Sequence, residues 1–125
     1  MSEQIEALIV NVDGTVTPTQ IDNMGARDLQ KIVGGYIEAI NIYTPRGEVT
    51  LWGHDEAKII RLPINKGATL IWWKLNPEMA EQDVLAGPIV ITGGADADGA
   101  CLPVPEWIQE IVEANTIAVV VRDKE

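Results

Sequence analysis

Basic residues are scarce in this chain and missing from most of its C-terminal part. Nine lysines and arginines stand against nineteen acids, for a formal net charge of −10. From Leu75 to Val121 there are eight acids and no base, whereas Met1–Lys74 carries nine acids and seven bases. A chain so poor in cations is ill suited to gripping a phosphate backbone, and direct nucleic-acid binding is not expected. The single cysteine, Cys101, excludes an intramolecular disulfide and a thiolate metal cluster. The single histidine, His54, is the one residue around which a Ser-His dyad or a zinc site could be built. It stands beside Asp55 and Glu56, in a stretch that reads as a surface turn. No run approaches the roughly 20 apolar residues of a membrane helix. Glu3 and Glu6 lie where a signal peptide carries bases. A cytoplasmic protein, in a reducing compartment and without membrane association, is expected.

What is present fits one acidic globular domain over residues 1–125, with 46% hydrophobic residues. Ile5–Val12 reads as a strand, Asp13-Gly14 as a turn, and Thr15–Ile21 as an extended piece that Pro18 confines to a sheet edge. Asp22 or Asn23 is placed to cap a helix running to Val33 and ended by Gly34-Gly35. Strands are predicted over Tyr36–Tyr43, Glu48–Gly53 and Lys58–Leu62, forming a meander. The β-branched run Thr69–Leu75 also reads as a strand, followed by a helical turn over Pro77–Gln82 and a strand over Val84–Thr92. Val104, Trp107, Ile108, Ile111 and Val112 recur at helical spacing, with Glu106, Gln109, Glu110 and Glu113 opposite. Ile117–Val121 reads as a final strand. The predicted fold is α+β, a mostly antiparallel sheet of five to seven strands with two main helices packed on one face.

Candidate chemical motifs fail individually. Asn11-Val12-Asp13-Gly14-Thr15 has the outline of a phosphatase motif, but asparagine occupies the position of the nucleophilic aspartate. Asp96-Ala97-Asp98-Gly99 has the start of a calcium loop without its closing glutamate. Cys101 lacks a nearby base, and Gly93-Gly94 lacks a phosphate loop's spacing and lysine. No catalytic residue, metal site or cofactor is expected. Trp72-Trp73 would point to opposite faces of a strand, so one ring is a candidate binding anchor unless both faces are covered.

Three segments carry a resemblance. Leu29–Glu38 (LQKIVGGYIE), Leu62-Pro63-Ile64-Asn65 with Ala68-Thr69, and the stretch from Asp83 to Ile91 resemble the pattern of a family termed domain of unknown function 3846. The resemblance implies a small accessory factor of phages, mobile elements and their hosts, some of whose neighbouring genes serve anti-restriction. It implies no established activity, cofactor or catalytic residue. The chain departs from the family pattern over Leu70–Glu81. Within the matching segments, Gly34, Gly35, Asn65 and Gly87 have structural readings. Glu38 and Asp83, carboxylates in apolar surroundings, need a partner such as Arg61, Lys66 or a backbone donor.

The function expected is non-enzymatic. The protein would bind and inhibit or sequester a host protein with a basic surface, as in host takeover or counter-defence, using Glu106, Glu110 and Glu113 for attraction and Trp72 or Trp73 as anchor. Two alternatives are a DNA mimic directed at a nucleic-acid enzyme, and a small-ligand or nucleotide sponge using a tryptophan for stacking. A homodimer is left open.

Overall fold

The structure is a computed structural model that describes residues 3–114. The predicted strand at 117–121 lies outside the described residues. The chain opens with β1 (Gln4–Val10), which turns at Asn11–Thr15 into β2 (Val16–Asp22), paired from Gln4↔Asp22 to Val10↔Val16. Helix α1 (Ala26–Val33) leads into the hairpin of β3 (Ile37–Thr44) and β4 (Gly47–His54). Helix α2 (Lys66–Leu75) and a 3-10 turn at Pro77–Met79 precede β5 (Ile89–Gly93), and helix α3 covers residues 106–114. All pairings are antiparallel, in the order β2-β1-β5-β4-β3. The fold is α+β. The central strand β5 is buried at every position, and Pro18 stands in the edge strand β2, where a missing N–H interrupts no inner ladder.

Alternation along β1 divides the core in two. Ile5 and Ala7 face a cluster completed by Ile21, Val90 and Leu29 of α1. Leu8 and Val10 face the larger cluster, where Ala68, Ile71 and Trp72 of α2 meet Ile108 and Val112 of α3. Two helices thus share one face of the sheet, but they are α2 and α3. The helix that ends at Val33 covers the other.

Several local expectations are corrected. Residues 69–75 are helix, not strand: Asn65 caps them through its side chain, and Ala68, Ile71 and Trp72 pack into the larger core cluster. A mostly apolar stretch of seven residues does not by itself separate a buried helix from a buried strand. Residues 58–62 form turns with Arg61 in the left-handed region at φ 60°, and β4 pairs with β5 instead. Helix α1 begins at Ala26 without a side-chain cap. The Asp22 carboxylate instead accepts from Met24 N (2.8 Å), and Asp28 accepts from Asp22 N (2.8 Å). On α3, Ile108 and Val112 take the central positions, while Trp107 and Ile111 are partly buried at its flank.

Candidate functional site

Asn65 sets the frame of the site. Fully buried, it donates from Nδ2 to Val10 O (2.8 Å) and Gly87 O (2.9 Å) and accepts at Oδ1 from Ala68 N (3.0 Å). Thr69 Oγ1 donates to Asn65 O (2.7 Å) and accepts from Leu85 N (2.9 Å). The start of α2, the end of β1 and the strip 85–87 are thereby locked together. Gly87 holds φ 76°, and a Cβ there would lie 2.8 Å from Leu62 Cδ1. Gly34 ends α1 in the left-handed region at φ 87°. At Gly35 a Cβ would collide with the His54 ring, so a side chain is excluded there by packing. His54 is mostly buried against it, with Nδ1 accepting from Glu56 N (3.0 Å). The histidine expected on the surface is a packing element.

These constraints leave a cleft of about 220 Å³ between the β3–β4 hairpin end, the turn after His54 and the strip leading to β5. Its apolar wall includes Ile40, Trp72, Leu85 and Ile89. Its polar rim carries Glu38, Asp55, Glu56 and Asp83, with Lys58 as the one Lys or Arg among the lining residues. Lys58 Nζ donates to Asp83 Oδ1, which also accepts from Val84 N (2.8 Å). The partner of Asp83 is therefore Lys58 with a backbone donor, not Arg61 or Lys66. The ammonium holds the Asp83 carboxyl below the usual carboxylate range. Glu38 is exposed at the cleft edge. Ile59, also on the rim, is 77% exposed, and its neighbour Ile60 51%.

Trp72 is only 4% exposed, so it cannot serve as an exposed anchor; it is a wall of this cleft. Its indole N–H is buried without a hydrogen-bond partner, a situation that costs about 1–3 kcal/mol. Trp73 is half-buried and donates from Nε1 to Asp83 O (2.8 Å). The adjacent tryptophans, read as strand residues on opposite faces, are separated instead by one helical step. Their prominence in the sequence could have drawn attention to the cleft, but Lys58, His54 and Ile59 give no such signal.

The other marked residues lie elsewhere. Glu106, Glu110 and Glu113 are exposed on α3, away from the cleft lining. Glu110 lies 3.8 Å from Arg46, whose guanidinium stacks 5.0 Å over the Trp107 ring. Asp13 accepts from Thr15 N (2.9 Å) and Thr15 Oγ1 (2.6 Å), a hairpin loop whose bonds hold the carboxyl low. Asp96 accepts from Asp98 N (2.8 Å) and Ala100 N (3.0 Å). Burial pushes the Cys101 thiol up. Among the described residues, no group of three or more His, Cys, Asp or Glu side chains is arranged to hold a metal, and no helix is long and apolar enough to cross a membrane.

The family described as Domain of unknown function (DUF3846) matches over residues 5–121, and the chain belongs to that family. No curated protein and no solved structure matches. Glu38 and Asp83 line the cleft, whereas Gly35, Asn65 and Gly87 stand behind its wall, Gly35 against the His54 ring and Asn65 bonded to Gly87 O.

Proposed function

We propose that this protein works by stoichiometric binding, without turnover, to a host protein with a basic surface, as a phage or mobile-element accessory factor that inhibits or sequesters its target in the host cytoplasm. The observation that carries the reading is the outer face of α3, which turns Glu106, Glu110 and Glu113 to solvent within a stretch that holds eight acids and no base. A one-signed surface of this kind speeds encounter with an opposite one and makes association sensitive to salt. Arg46 tempers Glu110, but an exposed ion pair is worth at most about 1 kcal/mol. The charge reversal is therefore best placed at Glu106 and Glu113, which leaves the Arg46–Glu110 pair undisturbed.

The test is capture of a partner from host lysate, followed by association kinetics of the purified pair. Glu106→Lys with Glu113→Lys should slow association by about tenfold at low salt and change dissociation little. Raising NaCl to physiological strength should slow the unaltered protein in the same way. Association indifferent to both the charge reversal and salt would leave the glutamates as surface charge alone and overturn the reading.

A further inference from the structure

We propose that β3 is a self-pairing edge: two copies of this chain join antiparallel along it, with the twofold axis at Ile40, and their sheets become one. The two edges of the sheet are built differently. Strand β2 carries Pro18, which withholds an N–H from any added strand. Strand β3 is an edge of eight residues, laddered without a break to β4 from Ile37↔His54 to Thr44↔Gly47. It holds no proline, lysine or arginine, and Glu38 is its one charge, so little on it opposes a further strand.

Hydrogen-bond alternation sets the register. Tyr36 O accepts from Asp55 N (3.0 Å), so the even-numbered residues of β3 direct their backbone groups to β4. Ile37, Ala39, Asn41 and Tyr43 then turn theirs outward. An antiparallel copy pairs these four among themselves only when Ile37 meets Tyr43 and Ala39 meets Asn41, which places the axis at Ile40. The same register covers the apolar surface exposed here. The chain's two tyrosines, Tyr36 and Tyr43, flank or end β3 and are 73% and 77% exposed. Tyr43 comes to lie opposite Ile37 and Tyr36 opposite Thr44, aromatic rings against β-branched side chains, a favourable cross-strand combination. Charge favours the same edge. A net −10 repels a second copy, yet residues 36–46 hold only Glu38 and Arg46 and sum to zero. Glu38 of the second copy lies opposite Ile42, so the two Glu38 residues stand about 14 Å apart along the strands. That exceeds the roughly 8 Å screening length at physiological salt.

An interface of one strand edge buries on the order of 1,000 Å², the low end for specific association, and a dissociation constant of roughly 10–100 μM is expected. Sedimentation equilibrium of the full-length protein from about 5 to about 500 μM, in about 150 mM NaCl, should show monomer and dimer in exchange. Ala39→Pro removes an outward N–H, as Pro18 does in β2, leaves the ladder to β4 in place, and should weaken dimerisation at least about tenfold. Cross-linking reads the register. Variants Ala39→Cys and Asn41→Cys, each combined with Cys101→Ser, are mixed under oxidised glutathione. Opposed residues of such a pair lie about 5.5 Å apart, within disulfide reach, whereas either variant alone sets its thiols at offset positions. A disulfide dimer containing both variants should exceed the dimers that each forms alone by at least about tenfold. A monomer throughout the concentration range would overturn the proposal, leaving the edge to a strand of another protein or to none. So would undiminished dimerisation of Ala39→Pro, or disulfide formed as readily by either variant alone. Salt screens the repulsion between copies, so dimerisation should strengthen as NaCl rises, the reverse of association through α3. Self-pairing uses no charge of α3, and either reading stands if the other fails.

Discussion

Asn65 shows how one amide can hold three segments. Its two donors end on Val10 O and Gly87 O, and its acceptor caps α2 at Ala68 N. Alanine there removes the cap and leaves two buried carbonyls short of a partner. The expected loss is roughly 2–5 kcal/mol, read from urea denaturation midpoints. Asn65→Asp should be worse, because a carboxylate oxygen would replace the donor that faces both carbonyls. A variant within about 0.5 kcal/mol of the unaltered protein would mean that the three segments are held by other contacts. Asp83 gives a weaker effect with a definite sign. Its folded-state pKa lies below the ordinary 3.8, first because Lys58 donates to it. A depressed carboxylate contributes stability at pH values above the unfolded-state pKa and loses it as pH falls through the folded value, so the loss falls in the acid range below about pH 4. The Lys58 and Asp83 side chains are 52% and 44% exposed, which limits the contribution to at most about 1 kcal/mol. Lys58→Ala should move the Asp83 carboxyl titration, followed by ¹³C NMR, upward toward its ordinary value, and should flatten that part of the stability–pH curve. A carboxyl that titrates at the same pH in the variant would rule the ammonium out as the cause.

At the scale of elements, periodicity identified α3 and the hairpins but not α2. The alternation of β1, the turn at Asp13-Gly14 and the stop at Gly34-Gly35 are local signals, and each acts in the folded chain near its predicted place. Helix α2 is different because its apolar residues surround much of the helix and hide the 3.6-residue period that marks a surface helix. Asn65 is the cap of this helix, but in sequence it reads as a residue of the loop after Pro63. The turns at 58–62 carried no warning: Lys-Ile-Ile-Arg-Leu has the composition of a strand, and only the tertiary fold leaves Ile59 and Ile60 in solvent. In α3 the apolar stripe was legible as five residues, but they are unequal: Ile108 is fully buried, whereas Ile111 sits at the flank. Ile108→Ala should therefore cost about 2–5 kcal/mol. Ile111→Ala should cost clearly less, about 1–2 kcal/mol, since part of its surface is already wet. Equal losses in chemical denaturation would place the helix in a different rotation on the sheet.

For the molecule as a whole, the sequence located the charge but not the cleft. Acid counts along the chain need no fold, whereas Glu38, Lys58, Trp72 and Asp83 are brought together only by the crossing from β4 through α2 to β5. The charge itself has a consequence for stability. A net −10 on a single domain opposes compaction through self-repulsion. The acid–base pairs Arg46–Glu110 and Lys58–Asp83 are both exposed and return at most about 1 kcal/mol each. Added salt weakens both effects, so its net action reveals which is larger. Between about 10 mM and about 150 mM NaCl the screening length falls from roughly 30 Å to roughly 8 Å, which reaches across many carboxylate separations but not across a close pair. Repulsion should lose more than the pairs do, and the thermal midpoint should rise by a few degrees. Glu106→Lys with Glu113→Lys takes the net charge from −10 to −6, two charges per reversal, and should reduce that rise. A midpoint that falls with salt in the unaltered protein would mean that attractive pairs outweigh the acidic surface. The field invoked to steer a basic partner would then be too weak for that task.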